Sequence, residues 1–314
     1  TLSSGLFRES TNLKQQTQDQ LIKPRIKHGR TATISFHDYG NRKVLKTNGK
    51  PDASVEINPK DFTFNDEITQ LALAAYPMNL QKKPYQAAMI GMGSGMAAHF
   101  LLADDLLINL DLIEIEPEVY ELAKGFNPIN ERVYNSPKIK LHFEDARTFF
   151  YSQNKKYDLI ISEPSNPWVS GVSGLFTHEF YHDMQNFLNP QGLLVQWVQS
   201  YEFNSELLLS ILTALNQEFD YVSVYGLPAK MQDQILPSNL IILASNQVIN
   251  MPFASDIRVI PKFSKDLQRL ALTPQRFSAT QRITTHQTLA SLLESRTANS
   301  DYLPQGNRFK TIDD

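Results

Sequence analysis

The most constraining feature of this sequence is a change of rhythm at Gln86. From there, short apolar runs alternate with helix-length segments as far as Ala244. The strand-like runs are 86–91, 108–114, 138–143, 157–162, 192–199, 220–225 and 238–244, and helical segments fit near 94–103, 117–125, 146–153, 176–188 and 204–218. Short apolar runs bounded by turns and separated by helices predict a mostly parallel sheet of seven strands covered on both faces. About a dozen residues separate the last two runs, enough for a loop but not a helical crossover, so they should form an antiparallel hairpin at the sheet edge.

Before Gln86 the pattern differs. Segment 31–57 alternates in short runs, with Tyr39-Gly40-Asn41 and Asn48-Gly49 between them. Glycine or asparagine there can take the positive φ that tight hairpin turns demand. A small antiparallel β domain over 1–62 is therefore expected, then a Rossmann-like α/β domain over 63–250. A polar tail over 251–314, with one helix near 285–295, follows. A helix is expected from Asn65 to Tyr76 and should end at Pro77, which lacks the N–H a helix interior needs.

Composition removes several function classes. Hydrophobic residues make up 41% and charged residues 20%, which excludes a wholly disordered chain. Thirty basic against thirty-three acidic side chains give a net charge of −3, so no basic excess points to nucleic acid or an anionic membrane. The absence of cysteine excludes disulfides, thiolate zinc sites and a cysteine nucleophile. No run approaches the ~18 apolar residues of a spanning helix. The chain opens on Thr1 rather than Met and reads as a piece of a longer polypeptide, with room for a membrane segment outside it.

The chemistry gathers where strands should end. Gly91-Met92-Gly93-Ser94-Gly95 follows the first sheet strand and opens a helix. Glycines allow a tight turn and let a ligand approach the backbone. The dinucleotide pattern GxGxxG fails at Met96, and the remaining GxGxG form suits a single nucleoside. Glu114 closes the second strand, about 20 residues on, where an acid accepts from ribose hydroxyls. Glu144-Asp145 closes the third. The fourth ends in Ser162-Glu163-Pro164-Ser165-Asn166-Pro167-Trp168 and a glycine-bearing loop, as a catalytic carboxylate under a lid would. A competing pattern is His178-Glu179-Phe180-Tyr181-His182. It fits HExxH, with Glu202 twenty residues beyond His182, and would make a zinc peptidase. The helix it lies on is one expected to cover the sheet. The other histidines show no ligand spacing.

Together these segments carry a resemblance. The Tyr39-Gly40-Asn41 turn, the NGK-DAS hairpin, the Thr69-Gln70 helix, GxGSG, EIEPEV, strand-end Asp145 and SEPSNPW…GLFTHEFY resemble the spermidine/spermine synthase (aminopropyltransferase) family. The likeness is greatest to a bacterial branch fused behind membrane helices. It covers roughly 2–245, and Asn299–Pro304 extends it.

The resemblance implies a methyltransferase-like Rossmann fold behind an N-terminal β domain, acting as a homodimer in the cytoplasm or as the cytoplasmic part of an anchored protein. It implies S-adenosylmethionine or its decarboxylated form as co-substrate, with no metal and a small-molecule acceptor. Gly91, Gly93, Ser94, Gly95, Glu114 and Asp145 would hold the nucleoside. Gln70, Asn166 and Tyr201 would meet the acceptor amine, and Glu163 would be catalytic, with methylthioadenosine leaving. A methyltransferase, or a lyase or cyclase acting on the donor, would suit the same fold.

The departures are specific. Ser94 and Asn166 stand where the family carries aspartate, and Leu236 where it carries tyrosine. Loss of the glycine-turn charge leads to the expectation that intact S-adenosylmethionine is tolerated, unless Asp52 or Glu163 restores that charge.

Overall fold

The structure, a computed structural model, describes residues 23–59, 66–165, 171–199, 205–231, 234–250, 258–273 and 281–284. An antiparallel meander comes first: β1 (Arg25–His28), β2 (Thr33–Asp38), β3 (Arg42–Thr47) and β4 (Lys50–Glu56), paired in that order. Its tightest hairpin turns on Asn48 and Gly49, at φ 49° and 84°. Both positive angles are those a two-residue turn of this hand requires.

Helix α1 (Asp66–Leu80) follows and runs through Pro77 rather than stopping before it, a correction to the expected end. A proline inside a helix costs about 3 kcal/mol. Here Leu71–Tyr76 and Met78 are buried, and that packing outweighs the local cost. Arg258 also donates to the Met78 carbonyl at 2.6 Å.

The second sheet contains all seven expected strands: β5 (Tyr85–Ile90), β6 (Leu107–Ile113), β7 (Ile139–His142), β8 (Tyr157–Ser162), β9 (Leu188–Gln199), β10 (Tyr221–Met231) and β11 (Gln234–Ser245). An eighth, β12 (Gln281–Thr284), adds to the edge, giving the order β12-β10-β11-β9-β8-β5-β6-β7. Strands β7, β6, β5, β8 and β9 are parallel, and β11, β10 and β12 attach antiparallel. The loop expected inside the terminal hairpin is largely strand, because β10 and β11 stay paired out to Met231 and Gln234, with one register shift between Leu227 and Pro228. The helices are α2 (Met96–Leu101), α3 (Pro117–Ala123), α4 (Arg132–Asn135), α5 (Ala146–Ser152), α6 (His178–Phe187), α7 (Ser205–Glu218) and α8 (Ser264–Arg269). None of the described helices is long and apolar enough to cross a membrane.

Two apolar clusters cover the faces of this sheet. One joins α1 and α2 to Ile34, Phe36, Leu45 and Val55, so the small sheet and the large one share a core. The other packs α5, α6 and α7 on the opposite face. The region after the hairpin is not wholly a polar tail: Val259, Phe263, Leu267 and Leu270 are buried in the first cluster. Arg258 grips Asp104 through both terminal nitrogens, at 3.1 and 2.8 Å. The helix expected near 285–295 lies outside the described residues.

Candidate active site

Strand β5 enters the sheet first and sits between β6 and β8, so the chain reverses direction of travel between β5 and β8. Open α/β sheets bind ligands beyond the carboxyl ends of strands at such a reversal. A cleft of about 940 Å³ opens there, roofed by the small sheet and by α1.

Gly91 ends β5 at φ 85°, and a Cβ on it would lie 2.3 Å from the Glu163 carbonyl oxygen. The ends of β5 and β8 approach this closely only because Gly91 has no side chain. Gly91 and Gly93 line the cleft. Ser94 and Gly95 do not. Ser94 is fully buried, and its Oγ accepts from the Met96 N–H at 3.3 Å. A Cβ on Gly95 would press on Met92 and Val133 instead.

Glu114, after β6, is 7% exposed and reaches the cleft wall. Its carboxylate accepts from Met92 N–H at 3.0 Å and Glu116 N–H at 2.9 Å. Burial pushes its pKa up to about 7, with Asp52 and Glu116 adding repulsion and the two N–H groups opposing. Glu116 faces the small sheet. It accepts from the N–H groups of Arg30, Thr31 and Ala32 and from the Thr31 hydroxyl. Burial works to raise its pKa, but these donors outweigh it and hold it low. Glu116 thereby fastens the roof of the cleft to the strand end that carries Glu114.

Asp145, after β7, caps α5: its Oδ1 accepts from Thr148 N–H at 3.0 Å. Asp145 and Glu144 both line the cleft. Two residues on, Arg147 donates to the Gly174 carbonyl at 2.6 Å and to Thr177 Oγ1 at 2.9 Å. These bonds anchor the returning end of the loop after β8.

Glu163, after β8, is half-buried on the cleft wall. Burial pushes its pKa up to about 8, and the only opposing influence is a hydrogen bond with Gln70 of α1. Its Oε2 and the Gln70 Oε1 have no hydrogen-bond partner among the described residues. The structure therefore brings Gln70, Gly91, Gly93, Glu114, Asp145 and Glu163 to one cleft. Asn166 and Tyr201 lie outside the described residues.

Sequence reasoning missed several lining residues. Asp66, Thr69, Trp197, Gln199 and Asn239 belong to the cleft. Trp197 Nε1 donates to Asn239 Oδ1 at 3.0 Å, which fixes the indole at the far end. Gln199 could have been found, since it ends β9 and obeys the same strand-end rule. Asp66 could not, because its place depends on Ser54 Oγ donating to it at 2.5 Å across the roof. In all, seven carboxylates and one guanidinium, Arg42, line the cleft among the described residues.

The HExxH pattern makes no part of this cleft. His178 Nε2 and His182 Nδ1 each close on Glu218, at 2.5 and 2.9 Å. These residues join α6 to α7 on the outer layer. No group of three metal-ligating side chains converges among the described residues, and Glu202 lies outside them.

Residues 66–245 match the profile of the spermine/spermidine synthase domain. Among curated relatives, the polyamine aminopropyltransferase of Lachnoclostridium phytofermentans is 27% identical over 60% of this chain and 62% of its own length. That of Thermoplasma volcanium is 28% identical over 71% of this chain and 77% of its own. A solved spermidine synthase in complex with the transition-state analogue AdoDATO superposes with a TM-score of 0.64 at 18% identity, covering 86% of this chain and 88% of that one. The last likeness is one of fold.

Proposed function

This chain belongs to the spermine/spermidine synthase family, and from that premise we propose that its cleft transfers an aminopropyl group from decarboxylated S-adenosylmethionine to an amine. The observation that carries the proposal is the charge of the cleft. Seven carboxyl groups face one guanidinium in a chain whose net charge is only −3, and although burial favours the proton on Glu114 and Glu163, the other five still outnumber Arg42. A sulfonium donor with an ammonium tail and an alkylamine acceptor are both cations, and such a lining attracts them. The likenesses to known proteins do not favour the methyltransferase, lyase or cyclase readings.

In this reading, Glu114 accepts from the ribose hydroxyls and Asp145 from the adenine amino group. The acceptor nitrogen lies between Gln70 and Glu163. It attacks the propyl carbon bonded to sulfur, the carbon–sulfur bond breaks, and sulfur keeps the electron pair as methylthioadenosine leaves. The sulfonium is already activated, so the protein's tasks are alignment and removal of a proton.

The burial of Glu163 suits the second task. An alkylammonium has a pKa near 10.4, so passing its proton to an ordinary carboxyl at 4.5 is uphill by about 8 kcal/mol. With Glu163 at about 8 the gap falls to about 3 kcal/mol.

The test is release of methylthioadenosine from the decarboxylated donor with a diamine such as putrescine. Calorimetry should also show methylthioadenosine binding that Glu114→Ala abolishes. Undiminished affinity in that variant would remove Glu114 from the nucleoside site, and wild-type protein that binds no nucleoside would contradict the proposal. A dimer is part of this reading, and light scattering checks it.

A further inference from the structure

The carboxylates at the strand ends all belong to the large sheet. Asp52 comes from the other side. It stands in β4 and lines the cleft from the roof. Its neighbour Ala53 rests on the glycine turn, 3.6 Å from where a Gly93 Cβ would be. Ser165 Oγ, two residues past Glu163, donates to Asp52 Oδ1 at 3.5 Å. Thr47 and Lys50 reach Asp52 from its own hairpin, and its charge is felt at Glu114. Asp52 is thus set between the glycine turn, the loop after β8 and the carboxylate of β6.

The glycine turn itself brings no charge to this place, because Ser94 is buried against Met96. Two polar atoms of the cleft await a ligand. Gln70 is 6% exposed and Gln199 3%, and Gln70 Oε1 and Gln199 Nε2 have no hydrogen-bond partner among the described residues. A buried polar atom left without a partner is costly, so a polar ligand group between these walls is favoured.

We propose that Asp52 binds the terminal ammonium of the donor's propyl chain and so selects a decarboxylated sulfonium donor over an intact one. The proposal rests on the aminopropyl-transfer reading. It reverses the expectation drawn from Ser94, since the charge missing from the turn is supplied across the cleft. An ammonium gains from the Asp52 carboxylate, whereas the carboxylate of an intact donor is repelled by it.

The experiment is calorimetry of wild type, Asp52→Asn and Asp52→Ser with three ligands: decarboxylated S-adenosylmethionine, S-adenosylmethionine and methylthioadenosine. Wild type should prefer the decarboxylated donor. Both substitutions should narrow that preference about tenfold or more, which is about 1.4 kcal/mol. Methylthioadenosine has no ammonium, and its affinity should stay within about twofold, which also reports that the site is folded. The two variants differ in bulk, so one that fails to fold leaves the other to decide. An unchanged donor preference, or an equal loss for all three ligands, would overturn the role of Asp52. Wild type that binds methylthioadenosine but neither donor would overturn the reading beneath it.

Discussion

Glu163 is held in a state that favours its proton. Its folded pKa of about 8 lies above the ordinary value of 4.5, so the folded chain disfavours ionisation. The sign follows by linkage. A carboxyl raised in the folded state imposes no penalty below pH 4.5 and an increasing one as pH climbs to about 8. Glu163→Gln should therefore raise the melting temperature at pH 9, by a gain of about 2 kcal/mol once the openness of the cleft is allowed for. At pH 4 the two proteins should melt alike. Turnover should fall by about 10² to 10⁴ in the same variant. In wild type, kcat/KM should decline as pH drops below about 8. An equal melting temperature at pH 9 would show that Glu163 is not raised. Gly91→Ala tests the neighbouring turn: the new methyl would meet the Glu163 carbonyl at positive φ, and a loss of about 2 kcal/mol or more in denaturant melts is expected.

Among elements, α8 shows what sequence pattern conceals. Its six residues lack the length for a clear helical period, and the segment around it reads as polar. Its position comes from side chains. Arg269 forms a two-pronged bond with Glu67 of α1 and donates to the Glu56 carbonyl at 2.8 Å. Glu67 is fully buried and also accepts from Glu56 N–H at 3.1 Å. The pair thus ties the end of β4 and the start of α1, which carries Asp66 and Gln70 into the cleft. Removing one partner of a buried ion pair costs about 3–5 kcal/mol. Arg269→Ala should lose that much in denaturant melts and weaken acceptor binding. Lys262→Ala, which releases only the exposed Asp105, should leave the melting curve in place. Equal effects of the two would contradict the assignment. Helix α1 continues through Pro77 for a related reason, since propensity describes an isolated helix and this one is enclosed.

Across the whole molecule, the legible features were those a local pattern can encode. Alternation gave the seven strands and their covering helices, the glycine turn marked the first strand end, and Glu114, Asp145 and Glu163 followed from the strand-end rule. The eighth strand was not legible, because β12 is four residues long and joins a distant edge. Nor was the closing of the roof, which depends on Glu116 meeting residues 30–32 and on the shared core of Ile34, Phe36 and Val55. Asp52 acquires its place only through that closure. The gathered charge has a bulk consequence. Raising salt shortens the Debye length from about 10 Å at 0.1 M to about 3 Å at 1 M. The KM for a cationic acceptor should therefore climb with salt, while methylthioadenosine affinity changes little.

The central claim is that the propyl carbon moves from sulfur to nitrogen. It is tested most directly with decarboxylated S-adenosylmethionine carrying ¹³C in its aminopropyl chain, incubated with the protein and putrescine and followed by mass spectrometry. The label should appear in a triamine, with an equal amount of unlabelled methylthioadenosine. Label that stays with the nucleoside, or an acceptor that gains only a methyl group from the intact donor, would contradict the account.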